Sequence, residues 1–325
     1  MSSDPACTIF EPAAEPTLHF IGVSTAQSSI MRVFPRWADF LGLEDAAIDG
    51  MDFVPNDRPE HYREAVRFIR DDPLSRGALV TTHKLDLFAA ARDLFDEIDP
   101  LADAMAETSC LAKRDGKLCC SAKDPITAGL AIDGFLPEGH FAESGSDLFV
   151  MGAGGSAIAI TWHLMQTARR ADRPARIIVC DPVADRLHHL SDFHGRGPAD
   201  IPVDCRQIRT ASDNDRILDE LAPGSLIVNA TGLGKDRPGS PLSDSARFPE
   251  SSIVFELNYR GDLVFLEQAR HQAAARGLAV HDGWTYFIHG WTRVIAEVFD
   301  IDIPVAGTVF DEISRIAAEA TGRPA

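Results

Sequence analysis

The 325-residue sequence has no apolar run that approaches the roughly 20 residues a membrane-spanning helix needs. Its first residues, MSSDPACTIFEPAAEP, lack the basic and apolar regions of a secretory signal peptide, so none is predicted. Positive charge is also scarce, since 31 basic residues stand against 49 acidic ones for a net charge of -18. That field repels nucleic acid and anionic membranes, so neither is expected as the main partner. We expect a cytoplasmic protein.

The sequence also lacks a cysteine pair of the CxxC type. Its six cysteines are Cys7, Cys110, Cys119, Cys120, Cys180 and Cys205. Adjacent Cys119 and Cys120 would chelate a metal poorly, and we interpret all six as reduced thiols. His188, His189 and His194 lie in a helix-like stretch and are expected to be surface side chains. The sequence therefore predicts no metal site.

Short apolar runs alternate with helical patterns along the chain. LHFIGVS (18–24) and GALVTT (77–82) favour strands, whereas HYREAVRFIRDD favours an amphipathic helix. IMRVFPRWADFLGL has a helical pattern that we predict to be broken at Pro35. This alternation is typical of a parallel or mixed sheet with crossover helices, and hence of an α/β fold.

A glycine turn, MGAGGSA, separates the strand-like DLFVM from an apolar helical stretch. Glycine allows a tight turn and the close approach of a pyrophosphate, and the following helix N-terminus offers free N–H groups and a positive dipole end. The alternative is a tight turn without a ligand. The strand–turn–helix context favours a Rossmann unit that binds a dinucleotide. Its predicted cofactor-binding residues are Gly152, Ala153, Gly154, Gly155, Ser156 and Ala157.

Asp181 ends the next strand-like segment, ARIIVCD. A carboxylate at this position can accept hydrogen bonds from the adenosine ribose and would repel a 2′-phosphate. The next arginine, Arg186, comes five residues later. The pattern favours NAD as cofactor, with NADP possible. In the alternative interpretation Asp181 only caps the following helix.

Lys84 and Asp124 each follow a strand-like segment, GALVTT and KLCCSA respectively. The ends of parallel strands meet at one edge of a sheet, so folding could bring the two residues together. Alcohol oxidation needs a base for the hydroxyl proton, and a lysine held by a carboxylate can serve. The alternative for each residue alone is a solvated surface charge. His83 could tune Lys84 or simply fill space beneath it.

In order and spacing these motifs resemble those of the shikimate dehydrogenase superfamily, which includes shikimate and quinate dehydrogenases. GVSTAQSS resembles its N-terminal substrate loop, LVTTHK its lysine segment, and AETSCLAKRDGKLCCSAKD the segment that carries its aspartate. VNATGLG is similar to its loop beside the nicotinamide. FELNYRGDLVFLEQA and DGWTYFIHGW are similar to its two C-terminal segments.

The resemblance implies an α/β fold of two domains. Residues 1–125 and 284–325 would form an N-terminal α/β substrate-binding catalytic domain, and residues 126–283 a Rossmann domain that binds NAD(P), with C-terminal helices returning to the first domain. Lys84 and Asp124 would be catalytic. The implied substrate-binding residues are Ser28, Ser109, Tyr259 and Tyr286. Further implied cofactor-binding residues are Asn229, Ala230, Thr231 and Gly234.

The chain departs from the family pattern at the substrate loop and beyond. Ser28 remains, but Ile30 and Met31 replace a serine and a proline. Ser109 and Ala122 replace two asparagines that contact substrate hydroxyls in the family. A site that loses hydrogen-bonding partners rejects its former substrate. We therefore expect a shifted substrate, larger or less hydroxylated than shikimate.

Taken with the resemblance, the sequence predicts an NAD(P)-dependent oxidoreductase, a monomer or homodimer. It would transfer hydride reversibly between nicotinamide and a small cyclic hydroxy acid or its keto form. The alternative is a ligand-sensing or regulatory protein on the same fold. Loss of the substrate-binding pattern favours that alternative, and retention of Lys84 with Asp124 argues against it.

Overall fold

The computed structural model describes residues 10–197, 200–235 and 237–323. The chain divides into two compact units: a first unit of Met1–Lys123 with Gly290–Ala325, and a second unit of Asp124–His289. Asp124 and Tyr286, assigned above to the first domain, thus belong to the second unit. The substrate and cofactor roles of the two domains stay predictions.

The first unit contains a six-stranded mixed sheet. Its strands are β1 (Thr17–Gly22), β2 (Ala47–Asp52), β3 (Ser75–Val80), β4 (Glu97–Ile98), β5 (Cys110–Arg114) and β6 (Lys117–Ser121). Helices of its N-terminal part are α1 (Ile30–Leu41), α2 (Pro59–Asp71), α3 (Lys84–Ala91) and α4 (Pro100–Met105). The strand order is β2-β1-β3-β5-β6-β4, and β1 pairs in parallel with both β2 and β3.

Strand β5 pairs antiparallel with β3 on one side and with β6 on the other. Because two reversals restore the direction, β3 and β6 run the same way. Val80 and Ser121, their last residues, therefore lie at the same edge of the sheet, about 10 Å apart for two strand spacings. The mixed sheet thus brings the ends of these two strands to one edge.

Helix α1 runs without interruption through Pro35, so the predicted break is wrong. A proline inside a helix costs about 3 kcal/mol through a lost hydrogen bond and a steric clash. Val33, Phe34 and Trp37 on the same helix are buried, and each contributes roughly 1.5–3 kcal/mol. The Trp37 indole N–H also donates to the Ile313 carbonyl at 2.9 Å. Tertiary packing therefore outweighs the local cost.

The second unit contains a six-stranded parallel sheet. Its strands are β7 (Leu148–Met151), β8 (Ile177–Asp181), β9 (Val203–Gln207), β10 (Leu226–Asn229), β11 (Ile253–Glu256) and β12 (Ala279–His281). Its helices are α5 (Asp124–Asp133), α6 (His140–Ser144), α7 (Gly155–Met165), α8 (Ala184–His194), α9 (Ala211–Leu218) and α10 (Val264–Arg276). Two more helices are α11 (Trp284–Phe299), within which the unit boundary falls, and α12 (Thr308–Thr321).

The strand order β12-β11-β10-β7-β8-β9 is that of a doubly wound sheet, and every pairing is parallel. Strands β7, β8, β10 and β11 are buried throughout, as expected for strands covered on both faces. The order reverses between β7 and β10. In such sheets ligands bind at the carboxyl ends of the strands at this switch point.

Surface and cysteine predictions have mixed outcomes. His188 and His189 are exposed, but His194 is buried and lies 2.7 Å from the Thr161 hydroxyl, so its predicted exposure is wrong. Burial lowers the pKa of His194 to about 4. Cys7 lies outside the described residues, and the other five cysteines are free thiols. Among the described helices, none combines the length and apolar character that crossing a bilayer requires.

Candidate functional site

The glycine turn joins β7 to α7 at the switch point of the second unit. Gly152 has φ +98°, a conformation that side chains disfavour, and a Cβ there would lie 2.7 Å from the Ala230 carbonyl oxygen. By contrast, a Cβ built at Gly154 would meet no described atom within 4 Å. The inner side of the turn is therefore packed against the backbone, and its outer side is open.

Helix α7 begins directly behind this turn, with Gly154 at its N-cap. No described side chain caps its first turn. The first N–H groups of a helix have no partner within the helix and carry a positive dipole end, which suits a phosphate group. Ser156 adds a hydroxyl that lies 3.4 Å from the Tyr286 hydroxyl. This open turn fits the pyrophosphate of a dinucleotide.

Asp181, the last residue of β8, is 4% exposed. Its carboxylate accepts hydrogen bonds from the Ala153 N–H at 2.9 Å and from the Val183 N–H at 2.8 Å. Val183 is the N-cap residue of α8, so the carboxylate links the glycine turn to the start of that helix. The Arg186 guanidinium lies 3.9 Å away and is 61% exposed. Each carboxylate oxygen has a second lone pair, so a ribose hydroxyl is still a chemically suitable partner.

The loop that follows β10 approaches the glycine turn through the Ala230 backbone. Asn229, at the end of β10, is fully buried, and its side-chain oxygen accepts from the Thr231 N–H at 3.1 Å and the Thr231 hydroxyl at 2.7 Å. The Thr231 hydroxyl in turn accepts from the Leu233 N–H at 3.1 Å. Gly234 has φ +86°. The structure therefore brings the turn and the loop, two separately predicted segments, into contact.

Sequence reasoning missed Glu256, the last residue of β11, which is fully buried. Its carboxylate accepts from the Asn229 side-chain amide at 2.6 Å and from the Asn258 N–H at 2.8 Å. Burial raises the pKa of Glu256 to about 7. The only signal in the sequence is an acidic residue that ends an otherwise apolar strand, IVFE.

The two tyrosines predicted to bind substrate are both partly buried and lie in the second unit. The Tyr259 ring centroid lies 4.3 Å from that of Phe287 and 5.8 Å from that of Trp284. Tyr286 lies beside the first turn of α7 through its contact with Ser156. Tyr286 is therefore next to the predicted cofactor turn.

Lys84 is the first residue of α3 in the first unit and is partly buried. The preceding residue, His83, is fully buried, and its Nδ1 lies 2.9 Å from the Tyr62 hydroxyl. Its ring also packs against Phe53. Burial lowers the pKa of His83, which favours the neutral ring. The geometry supports a packing role for His83 beneath the start of the helix.

The hydroxyl of Ser109 is buried and accepts from the Lys123 N–H at 2.6 Å. Ala122 is also buried, and its N–H donates to Asp99 at 2.8 Å. Ile30 is fully buried in the core, whereas Ser28 is half-buried. Of the two positions with replaced asparagines, one thus has no polar side chain and the other uses its hydroxyl in an internal hydrogen bond.

Asp124 is the first residue of α5 and is 7% exposed. Its carbonyl accepts from the Thr127 hydroxyl at 3.2 Å. Since Lys84 belongs to the first unit and Asp124 to the second, their pairing stays a prediction.

Sequence comparison identifies shikimate dehydrogenases as relatives. No family model matches the chain. The chain is 29% identical over 182 residues to shikimate dehydrogenase (NADP(+)) of Lactococcus lactis subsp. cremoris, which covers 55% of this chain and 59% of that protein. It is 27% identical over 244 residues to shikimate dehydrogenase (NADP(+)) of Symbiobacterium thermophilum, with 70% and 76% covered.

Solved structures match over nearly the whole chain. Shikimate 5-dehydrogenase of Listeria monocytogenes, in complex with shikimate and NAD, has a TM-score of 0.68 at 18% identity, covering 95% of this chain and 99% of that one. Quinate dehydrogenase of Corynebacterium glutamicum, in complex with NAD, has 0.68 at 17%, covering 94% and 99%. 5-Ketofructose reductase of Gluconobacter sp. has 0.65 at 17%, covering 93% and 98%. The predicted α/β fold of two domains is confirmed.

Proposed function

We propose that this chain, a member of the shikimate dehydrogenase superfamily, is an NAD(P)-dependent oxidoreductase acting on a small cyclic hydroxy acid or its keto form. The observation that carries the proposal is the glycine turn. Gly152 packs on the Ala230 backbone, and Gly154 leaves open space before an uncapped helix N-terminus. A phosphate-bearing ligand fits this arrangement better than a turn built only for packing.

The turn residues 152–157 would hold the pyrophosphate, and the loop from Asn229 to Gly234 would border the nicotinamide. The negative charge of Asp181 supports NAD, since it disfavours a 2′-phosphate. Exposed Arg186 beside it offers a partner for that phosphate. The two sequence relatives described above carry NADP(+) in their names. We propose NAD as the cofactor, with NADP also bound.

The bound dinucleotide would supply hydride chemistry, and this chain's residues would handle the proton. Lys84 would accept the hydroxyl proton during oxidation and return it during reduction. The Asp124 carboxylate would hold the Lys84 ammonium group and the substrate hydroxyl. Lys84 follows Val80 by four residues and Asp124 follows Ser121 by three, and these two strand ends lie at one sheet edge.

The substrate would carry fewer hydroxyls than shikimate, or a larger ring substituent. Ser109 already uses its hydroxyl as an acceptor, Ala122 has no polar group, and Ile30 is buried in the core. Unpaired substrate hydroxyls would lose their hydration without compensation, which costs about 1–3 kcal/mol each.

Nicotinamide absorbance with a panel of cyclic hydroxy acids, offered with NAD and with NADP, tests the function. We expect turnover with at least one compound, and faster turnover as hydroxyls are removed from the ring. Thermal shift with the same panel runs in parallel. Ligand binding without any turnover would favour the sensing protein instead.

A further inference from the structure

We infer that Glu256 is a positioning residue for the cofactor loop, defined as Asn229–Gly234. Its carboxylate sets the orientation of the Asn229 side-chain amide, and that amide sets the hydrogen bonds of Thr231. The role in shaping the loop stands on the geometry of the second unit alone. Only its consequence for dinucleotide binding depends on the proposed function.

Glu256 and Asn229 face each other across neighbouring parallel strands, since they are register partners at the ends of β11 and β10. Both residues are fully buried. The Asn229 amide N–H donates to one carboxylate oxygen at 2.6 Å, and the Asn258 N–H donates to the other at 2.8 Å. Water cannot easily replace either bond in this position, so each one matters to the local structure.

The Asn229 amide has different partners on its two sides. Its nitrogen faces the Glu256 carboxylate, and its oxygen accepts two hydrogen bonds from Thr231. Turning the amide over would set its oxygen against a carboxylate and its NH₂ against the Thr231 N–H. Both contacts would be repulsive, so an ionised Glu256 selects one orientation.

Glu256 also supports the far end of the loop. The Asn258 N–H donates to Glu256, and the Asn258 side-chain amide donates to the Leu233 carbonyl at 3.1 Å. The Leu233 N–H meanwhile donates to the Thr231 hydroxyl. One buried carboxylate therefore anchors the loop through Asn229 at its start and through Asn258 near its end.

Protonation of Glu256 would reverse this selection. A carboxylate is an acceptor only and matches two N–H donors, whereas a carboxylic acid carries an O–H that needs an acceptor. A proton on the oxygen that faces Asn229 would turn the amide and leave Thr231 without its partner. Burial raises the pKa of Glu256 and Asp282 raises it further, while the hydrogen bonds from Asn258 and Asn229 lower it. His281, at the end of β12, has a pKa lowered by burial and stays uncharged in this range.

Amide hydrogen exchange at Thr231 and Leu233 tests the inference in the full chain without cofactor. We expect protection, corrected for the intrinsic exchange rate, to rise about tenfold as pH increases through the Glu256 pKa. Glu256→Gln has one acceptor oxygen for two donors, so protection should be about tenfold lower and independent of pH. Glu256→Asp keeps the carboxylate and should restore the pH dependence.

Asp147→Asn is the matched control. Asp147 is a buried carboxylate of the same unit that binds Arg176 and the Ala222 N–H, and it precedes β7 at the opposite end from the glycine turn. Its replacement should lower stability and leave exchange at Thr231 dependent on pH as in the wild type. Equal, pH-independent protection in the wild type and Glu256→Gln would overturn the inference. If Glu256→Gln does not fold, flat protection across the wild-type titration overturns it equally.

Dinucleotide affinity, measured by titration calorimetry with NAD, separates this inference from the proposed function. We expect wild-type affinity to increase with pH and Glu256→Gln to bind about tenfold more weakly without pH dependence. A wild type that binds neither NAD nor NADP, yet shows the expected exchange profile, would remove the proposed function and retain the role of Glu256 in the loop. Equal NAD affinity in both proteins at every pH would overturn its consequence for binding.

Discussion

The two units carry their candidate site residues in different ways. In the second unit the site is made largely of backbone: Gly152 packs on the Ala230 carbonyl, and Asp181 accepts from two main-chain N–H groups. In the first unit it is made of side chains placed after strands, such as Lys84 and Ser109. A backbone contact admits few replacements, whereas a side chain can change while the strand beneath it stays. Substrate preference can therefore change on a constant cofactor framework.

Replacing Lys84 should break the first unit's contribution most severely. Lys84→Ala removes the proposed proton-transfer group, and we expect kcat to fall by about 10²–10⁴-fold while NAD affinity stays unchanged. Lys117→Ala is a suitable control, because Lys117 is an exposed lysine of the same unit paired with Glu97. Near-normal turnover by Lys84→Ala would remove this lysine from the mechanism.

A pair of glycine substitutions tests the backbone basis of the second unit. Gly152→Ala introduces a methyl group at positive φ and against a carbonyl, so we expect a loss of about 3 kcal/mol in the free energy of unfolding. Gly154→Ala meets open space at ordinary φ and should change stability by only a few tenths of a kcal/mol while weakening NAD binding. Denaturant unfolding and calorimetric titration of both variants measure the contrast. Similar stabilities for the two would contradict it.

Asp181→Asn sharpens the comparison by removing charge without changing size. An amide offers one acceptor oxygen, so the Ala153 or the Val183 N–H loses its partner and stability should fall by about 1–3 kcal/mol. Affinity for NADP should rise relative to NAD, since the carboxylate no longer opposes a 2′-phosphate. Asp185→Asn, an exposed change in the first turn of α8, should alter neither property. An unchanged NADP/NAD ratio in Asp181→Asn would mean that this charge does not set cofactor choice.

Acid should affect the two units differently. Burial lowers the pKa of His19 in the first unit to about 4, and its Nε2 lies 2.7 Å from the Ser75 hydroxyl. The unfolded histidine titrates near 6.5, so the unfolded state binds more protons below that pH. The stability contributed by His19 is therefore complete above about pH 6.5 and is lost as pH falls toward about 4. In the second unit His194 acts in the same sense. Glu256 acts in the opposite sense, since its raised pKa makes stability decline as pH rises from about 4.5 to about 7.

Thermal midpoints of the wild type and His19→Gln across this range provide the measurement. Glutamine can keep a hydrogen bond to Ser75 and does not titrate, so the variant should lose less stability in acid than the wild type. Parallel curves for the two proteins would show that His19 does not contribute to acid sensitivity. This is the smallest of the four expected effects.

Local patterns predicted the elements that depend on local physics. Buried strands such as β7 and β10 follow from short apolar runs, and the turn at Gly152 follows from its strand–turn–helix context. The break at Pro35 was wrong because packing of α1 outweighs one lost hydrogen bond. The exposure of His194 was wrong because a helix-like pattern did not show that this side chain would face Thr161.

The sequence by itself determined the α/β class, the strand order of motifs and the position of the glycine turn, because periodicity and glycine conformation act over a few residues. The tertiary structure alone decided that β3 and β6 end at one edge, that Ala230 closes on Gly152, and that Glu256 faces Asn229. These contacts join residues far apart in the chain. They depend on strand order and register, which are set by the packing of whole sheets.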